Sequence, residues 1–173
     1  NIATSGLPTS VVLADVNKDG RLDIVATQET FLQGGNDVIV LPGFGNGTFG
    51  VATAYGTGLL KAPRSVAAVD LNGDNALDLV VANRNAAALD DTAVLLNNGN
   101  GTFKGAVFYD AGVTGNRGVV VADFDLDGLP DAATVNSGSN TVHVYGSVGD
   151  GTLRAPLGFP AGLDAWAITT ADF

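Results

Sequence analysis

Three short stretches of the sequence carry aspartate and asparagine at a spacing that suits a metal ion. They are nine-residue loops over residues 15–23, 70–78 and 123–131, with oxygen-bearing side chains at positions 1, 3, 5 and 9. Calcium binds about six to eight oxygen atoms, which such loops can supply. The candidate ligands are these side chains and the backbone carbonyl at position 7: Asp15, Asn17, Asp19, Arg21, Asp23, Asp70, Asn72, Asp74, Ala76, Asp78, Asp123, Asp125, Asp127, Leu129 and Asp131.

Calcium fits the loops better than the alternatives do. An EF-hand has a glutamate at position 12 and flanking helices, whereas Ala26, Val81 and Thr134 stand there among valine-rich segments. Magnesium suits a flexible multi-carboxylate loop less well, and zinc is disfavoured by the absence of cysteine and the single histidine. A plain turn explains any one loop about as well, but three loops in phase gather carboxylates that repel one another without a cation.

The charge of the chain follows from these loops. The formal net charge is −10, and ten of the 18 acidic residues lie in the three loops. Three bound calcium ions, one per loop, would bring the net charge to −4. Nucleic acid is a poor partner for such a surface, because phosphate contacts need lysine and arginine. No apolar run is long enough to predict insertion in a membrane.

The elements around the loops repeat as well. The first aspartates are 55 and 53 residues apart, and Asp172 begins a fourth loop 49 residues later. A Gly-Asn/Asp-Gly-Thr turn followed by Phe or Leu recurs at residues 45–49, 99–103 and 149–153. Each unit contains four segments with strand composition. The predicted strands are residues 10–14, 22–27, 37–41 and 49–55, then 65–69, 77–83, 92–96 and 103–109, then 118–122, 131–136, 140–145 and 153–159.

This pattern predicts an all-β chain of four-stranded antiparallel propeller blades. The expected repeats cover residues 8–60, 61–114 and 115–163, with a partial fourth unit at 164–173, in one segment over 1–173. Residues 1–6 resemble the outer strand of a preceding unit, and residues 166–173 resemble the first strand of a following one. We therefore expect a fragment of a larger propeller. Self-association that completes a ring is the weaker alternative.

Several motifs carry a family resemblance. Pro-Arg-Ser-Val-Ala at 63–67 leads into Asp70, residues 95–103 read Leu-Leu-Asn-Asn-Gly-Asn-Gly-Thr-Phe, and Phe49-Gly50 forms a Phe-Gly pair. By these motifs nearly the whole chain resembles the FG-GAP/VCBS repeats, the blades of integrin-α-type β-propellers. The resemblance implies calcium in the hairpin between the first two strands of each blade. Asn75, in place of the turn glycine, and Pro130 are tolerable departures from the family pattern. We expect the second loop, with its three aspartates, to bind calcium less tightly than the third, with its four.

The function expected from this resemblance is a secreted or cell-surface module for adhesion or ligand binding, with about three structural calcium ions and no enzymatic activity. A protein or glycan is the expected ligand. A lectin-like propeller, or a non-catalytic accessory region of a secreted enzyme, is the alternative.

Other residues with chemical potential have simpler interpretations. His143 lacks the partners of a catalytic triad and is expected to pack or to lie on the surface. Residues 43–47 indicate a hairpin turn, because no helix follows as in a phosphate-binding loop. The glycosylation sequons at Asn46 and Asn100 fall on the same repeated turn. Asp90 and Asp91 lie in an insertion that, like residues 28–36, is expected to be a solvated loop or to line a binding face.

Overall fold

A computed structural model describes residues 6–29, 37–58, 62–84 and 92–171. These residues form twelve β-strands, and no helix long and apolar enough to cross a membrane occurs among them. The strands are β1 (Leu7–Ala14), β2 (Asp23–Glu29), β3 (Asp37–Leu41), β4 (Thr53–Gly56), β5 (Ala62–Val69), β6 (Asp78–Arg84), β7 (Thr92–Leu95), β8 (Val107–Tyr109), β9 (Asn116–Ala122), β10 (Asp131–Asn136), β11 (Thr141–Tyr145) and β12 (Leu157–Pro160).

The strands form three antiparallel sheets with the same simple order. They are β1-β2-β3-β4, β5-β6-β7-β8 and β9-β10-β11-β12, hereafter blades 1, 2 and 3. Each strand pairs with its neighbours in the chain, as in an up-and-down meander. The prediction of an all-β chain with three four-stranded, propeller-like blades is therefore confirmed, and the three sheets are not closed into a ring.

The first strand of each blade begins earlier than predicted, because a β-bulge lies near its start. The register shifts between Pro8 and Ser10 in β1 and between Pro63 and Ser65 in β5. A third shift, in the pairing of β9 with β10, skips Arg117. Proline lacks the N–H that a strand ladder needs, and a bulge is one of the places that tolerate it. The prolines therefore lie inside the first strands and do not mark their limits.

The outer strand of each blade is shorter than predicted. In blade 1, Phe49 forms an isolated bridge with Gly43, and the ladder resumes only where Thr53 pairs with Val40. On the outer strand three residues lie between the two paired residues, whereas on the third strand only two residues lie between them. The extra residue is a bulge that interrupts the ladder. The same count holds in blades 2 and 3, so one predicted strand becomes a bridge followed by a short strand.

The blades pack face to face through apolar side chains. Val25, Val38 and Val40 of blade 1 belong to one buried cluster with residues of blade 2, among them Leu79 and Leu95. A second cluster joins the opposite face of blade 2 to blade 3. Alternating residues of one strand therefore serve both interfaces, which is why the central strands are apolar almost throughout. Full burial of each such side chain contributes roughly 1.5–3 kcal/mol.

The face of blade 1 that points away from blade 2 is also apolar. Ala26, Ile39 and Leu41 form a small cluster on it. A groove of about 410 Å³ lies between this cluster and β1. Val11 and Leu13 of β1 are 63% and 55% exposed.

Residues 166–171 do not form the strand predicted for the start of a fourth unit. Two residues of this segment instead contact blade 3. Ile168 lies against Gly118 of β9, and the Arg117 guanidinium carbon lies 4.1 Å from the centre of the Trp166 ring.

Some predictions lie outside the described residues. These are the outer strand at 1–6 apart from Gly6, most of the 28–36 segment, the insertion with Asp90 and Asp91, and Asp172.

A buried asparagine links blades 1 and 2 and provides a test of their packing. The Asn97 Nδ2 donates to the Val16 carbonyl of blade 1 at 2.8 Å and to the Leu77 carbonyl at 3.0 Å. Its Oδ1 accepts the N–H groups of Gly99 and Gly101. Asn97→Ala leaves the buried Val16 carbonyl and three partly buried groups without these partners, so we expect a loss of about 2 kcal/mol in the free energy of unfolding.

Urea denaturation measures this loss, and Asn98→Ala is the matched control. Asn98 is exposed, and its Nδ2 donates to the Thr102 hydroxyl. We expect this variant to lose about 0.5 kcal/mol or less, as is usual for surface substitutions. Equal losses in the two variants would contradict the role assigned to Asn97.

Candidate metal centre

The aspartate loops occupy the same place in every blade. Asp15 follows the last residue of β1, and Asp23 is the first residue of β2. The loops of blades 2 and 3 connect β5 to β6 and β9 to β10 in the same way. Each loop is therefore anchored at both ends by paired strands, and its nine positions are set by the register of one hairpin.

The aspartate at position 1 organises the turn. The two Asp15 carboxylate oxygens accept the N–H groups of Asp19, at 3.1 Å, and of Gly20, at 2.8 Å. Asp70 and Asp123 make the equivalent bonds to positions 5 and 6 of their own loops. A side chain that caps backbone N–H groups in this way curls the chain around its carboxylate. The first ligand predicted by spacing is thus at the centre of the loop.

Positions 3 and 5 continue this pattern. The oxygen of the position 3 side chain accepts the N–H of position 5, at 2.9 Å in the first loop and 3.2 Å in the third. The position 5 carboxylate accepts the N–H of position 7, at 2.7–2.9 Å in the three loops. These bonds lower the pKa of Asp74, mainly through the Ala76 N–H. The side chains at 1, 3 and 5 therefore converge on the inside of the turn, as their spacing predicts.

The backbone is left-handed at two positions of each loop, and the sequence predicted only one of them, position 6. Position 6 has a positive φ in all three loops, at Gly20, Asn75 and Gly128. Position 4 also has a positive φ, at Lys18, Gly73 and Leu126. Lysine and leucine rarely adopt this conformation, so their identity gave no signal, and only Gly73 pointed to it.

The aspartate at position 9 has a role that the sequence did not show. In blade 2, the Asp78 Oδ2 accepts the Leu71 N–H at 3.1 Å, and its Oδ1 accepts the Asn97 N–H at 2.7 Å. Asp23 and Asp131 make the same two bonds in their blades. The three side chains are almost wholly buried. Position 9 therefore connects the backbone of position 2 to the backbone just after the third strand of the same blade, at Gly43, Asn97 or Ser147.

Burial of this carboxylate has an electrostatic consequence. It raises the pKa of Asp78, while the Asn97 and Leu71 N–H groups act in the opposite direction. A carboxylate oxygen has two lone pairs, so one N–H bond leaves room for a metal ion. The predicted ligand role of Asp23, Asp78 and Asp131 stays a prediction beside this structural one, as does that of the position 7 carbonyls.

The third loop meets a geometric requirement for a metal ion. Carboxylate oxygens of Asp123, Asp125 and Asp131 lie within 4.8 Å of one another. Two oxygens bound to one calcium ion at about 2.4 Å can be at most about 4.8 Å apart. The three oxygens therefore satisfy this upper limit for ligands of one ion. The donors are all hard oxygens, which suits calcium and not zinc.

The first and second loops differ from the third at position 3. Asn17 and Asn72 stand there, and each donates from its Nδ2 to the position 5 carboxylate, at 3.3 and 3.0 Å. The amide thus occupies a carboxylate oxygen that is free of such a bond in the third loop, where position 3 is Asp125. The expectation that the second loop binds more weakly than the third is consistent with this arrangement and stays a prediction.

Each of the first two loops also contacts the next blade. Val16 and Leu71, at position 2, are 1% exposed and belong to the clusters between the blades. Lys18 donates to the Asp74 carbonyl of the next loop at 3.3 Å. Phe124, at position 2 of the third loop, has no such cover and is 41% exposed. The shape of a loop and the packing of two blades are therefore linked through position 2.

The turn that closes the third strand also packs against a loop. A Cβ atom on Gly101, which has a φ of 79°, would lie 2.9 Å from the Asn17 Cβ of blade 1. Glycine is required there by both the backbone conformation and the close approach. The Asn46 and Asn100 side chains cap these turns by accepting the N–H groups of Thr48 and Thr102. The hairpin interpretation of these segments is confirmed.

His143 lies away from the loops, in β11. Its side chain is 6% exposed, and burial lowers its pKa. Its only hydrogen-bond contact among the described residues is with the Thr141 hydroxyl, at 3.4 Å. This is the packing role expected from the sequence.

Comparison with known proteins identifies the repeat. The profile of the FG-GAP-like repeat matches residues 70–134 and 123–173, which together span more than half of the chain. An Agrocybe aegerita lectin, studied for specific recognition of non-reducing terminal N-acetylglucosamine, is similar in structure, with 25% identity and a TM-score of 0.57. That similarity covers 85% of this chain and 37% of the lectin.

A mutant of the Photorhabdus luminescens Tc holotoxin pore also matches, at 21% identity and a TM-score of 0.44. It covers 88% of this chain and 7% of that one. No curated protein sequence matches the chain.

The position 9 clamp can be tested without metal. Asp78→Asn keeps the shape of the side chain but turns an NH₂ group toward one of two buried N–H donors. We expect it to lower the free energy of unfolding by about 3 kcal/mol, because a buried donor loses its partner. Urea denaturation in excess chelator measures the change independently of calcium.

Asp74→Asn is the control, because it makes the same substitution at an exposed position of the same loop. In chelator we expect it to cost under 1 kcal/mol. Equal destabilisation by the two variants would show that position 9 is not a special structural residue.

Proposed function

Because the chain belongs to the FG-GAP-like repeat family, we propose that it is a calcium-binding β-propeller module of a secreted or cell-surface protein. It serves adhesion or ligand binding, with a protein or glycan as ligand. The calcium ions are structural, about one in each of the three loops. The observation that carries this proposal is the convergence of Asp123, Asp125 and Asp131 oxygens to within 4.8 Å of one another.

Two features support a structural role for calcium. The carboxylates at positions 1 and 5, joined in the third loop by Asp125 at position 3, are exposed or half-buried and share one turn, so a divalent cation would relieve their repulsion. The same turn places the residue at position 2, which is Val16 or Leu71, against the next blade. A bound ion would therefore stiffen the loop and the interface beside it. Extracellular calcium suffices even for weak sites of this kind.

We propose no catalytic role for the chain. His143, the single histidine, is buried by packing in blade 3. The clustered aspartates are already engaged in holding the loops. The ligand-binding role of the module then depends on its surfaces and not on a reactive side chain.

Calcium should stabilise the protein and bind most tightly at the third loop. A ligand at 100 times its Kd adds about 2.7 kcal/mol per site to the free energy of unfolding. We therefore expect a chelator to lower the melting temperature and calcium to restore it. Isothermal titration calorimetry should give about three sites. Asp125→Asn should weaken the tightest of them about tenfold, because affinity follows the charge of the ligands.

Asp150→Asn is the control for this titration. It removes the same charge from the hairpin turn of the same blade, where Asp150 caps the Thr152 N–H, outside the loop. We expect its calcium affinity to match that of the unmodified chain. An unchanged melting temperature across the calcium range would refute the structural-metal proposal, and equal effects of the two variants would refute the assignment of the third loop.

Carbohydrate binding is a second candidate, supported by the similarity to the Agrocybe aegerita lectin. Trp166, the single tryptophan, is 61% exposed and offers an aromatic surface for a sugar ring. This candidate predicts that N-acetylglucosamine changes the tryptophan fluorescence in a saturable way. Galactose serves as the comparison sugar. If no saturable change occurs up to tens of millimolar, N-acetylglucosamine binding near Trp166 is excluded. The more general proposal of a calcium-binding module is not affected by that result.

A further inference from the structure

The ends of the blades opposite the aspartate loops carry three arginines. Arg64 is the third residue of β5 and Arg117 is the second residue of β9, whereas the loops follow the last residues of these strands. Arg84 is the last residue of β6 and pairs across the sheet with Ala62, the first residue of β5. All three therefore lie at one end of blades 2 and 3.

Two of these arginines occupy the bulges of the first strands. The shift between Pro63 and Ser65 leaves Arg64 out of the ladder, and the shift in β9 does the same for Arg117. A bulge changes the direction in which a side chain points and is often found beside functional sites. Because β5 contacts both β1 and β9, the two bulges lie on neighbouring first strands. The repeat therefore places an arginine in the bulge of the first strand in both blade 2 and blade 3.

The charge of this cluster is only partly balanced. Arg64 forms an ion pair with Glu29 of blade 1 at 2.7 Å. The Arg117 Nε donates to the Ser137 hydroxyl at 2.9 Å, and its guanidinium stacks near Trp166. Among residues 6–29, 37–58, 62–84 and 92–171, no carboxylate forms an ion pair with Arg84 or Arg117. Within the described residues, the three arginines therefore share one ion-paired carboxylate.

The arginines are close enough to affect one another. Burial lowers the pKa of Arg117, and the charges of Arg84 and Arg64 lower it further. Mutual repulsion of this kind is unfavourable unless an anion joins the cluster. The aspartate loops do not neutralise the arginines, because the loops lie at the other ends of the strands.

A buried polar atom within the cluster lacks a partner. Within the described part of the chain, the Arg64 Nε is buried and has no hydrogen-bond partner. The buried Asn83 pairs with Pro63 in the adjacent strand, but its side chain lies on the face of β6 opposite that of Arg84, because successive strand residues point to opposite faces. The Arg64 Nε is costly to bury in this way unless water or a ligand binds it, and a water molecule would leave the excess charge unchanged.

We propose that Arg64, Arg84 and Arg117 form a binding site for an oxyanion group, which is a carboxylate, sulfate or phosphate. The planar guanidinium groups match the paired oxygens of such groups. A neutral sugar would not neutralise the cluster. The site is separate from the calcium loops, so its existence does not depend on metal binding.

The polarity of the chain is consistent with this site. Ten of the 18 acidic residues lie in the loops, and the arginines lie at the other end of the strands. The net charge of −10 therefore does not describe the local field near Arg84. Glu29, Asp37 and Asp110 lie at the same end, so the positive charge is local to the arginines, and an anion meets it within a screening length of about 8–10 Å.

The proposal is tested by titrating the calcium-loaded chain with sodium sulfate, sodium phosphate and glucuronate, at constant ionic strength maintained with chloride. We expect saturable binding at one site, followed by the shifts of the arginine Nε–H resonances in NMR spectra. The resonances of Arg64 and Arg117 should move together. Arg84→Gln should weaken binding about tenfold or more, because one charged hydrogen-bonding group is lost.

Arg154→Gln is the matched control. Arg154 is exposed on the hairpin turn of blade 3, at the loop end, and its substitution changes the net charge equally. We expect its anion affinity to be unchanged. Arg84 is exposed and lies outside the ion pairs of the described residues, so Arg84→Gln should keep the melting temperature measured without anion.

The three anions distinguish the source of the group. Tighter binding of glucuronate than of sulfate and phosphate, with a change in Trp166 fluorescence, supports the site and indicates an acidic saccharide. Tighter binding of sulfate or phosphate supports the site and indicates an inorganic or ester oxyanion. The proposal is overturned if none of the three saturates, if glucose binds as well as glucuronate, or if Arg84→Gln and Arg154→Gln behave alike.

Discussion

One buried carboxylate, repeated three times, underlies the architecture of this protein. The aspartate at position 9 opens the second strand of its blade and accepts one N–H from the loop before it and one from the segment after the third strand. An ionised group is costly to bury unless hydrogen bonds satisfy it, and here two backbone donors do so. The clamp thereby holds three otherwise separate segments in a fixed relation.

The consequences of the clamp extend beyond a single blade. By fixing the backbone at position 2, it places Val16 and Leu71 in the apolar clusters that join successive blades. Asn97 reinforces the first of these junctions with a hydrogen bond to the Val16 carbonyl. Because a repeat array is stabilised mainly by contacts between neighbours, whatever stiffens a loop also stabilises the junction next to it. Calcium at the loops, if bound as proposed, would therefore act on the whole array.

The two ends of the strands have different chemistry for a geometric reason. Hairpins between the first and second strands place all the aspartate loops at one end, and the bulges near the starts of the first strands lie at the other. A repeat that carries acid at one position and arginine at another thus separates the charges in space. The same regularity explains why a strongly acidic chain has a local cluster of arginines.

The sequence by itself determined the repeat, the order of the strands and the inner side chains of the loops. These features depend on local chemistry: alternating apolar residues form strands, and an Asp-x-Asn/Asp-x-Asp run curls on its own side chains. It did not reveal the buried role of Asp78, whose donor at Asn97 lies 19 residues away. Nor did it place Arg64 beside Glu29, or show that residues 166–171 form no strand. Those features were decided by the tertiary structure, because a buried group depends on the distant segments that pack around it and a strand depends on a partner with which to pair.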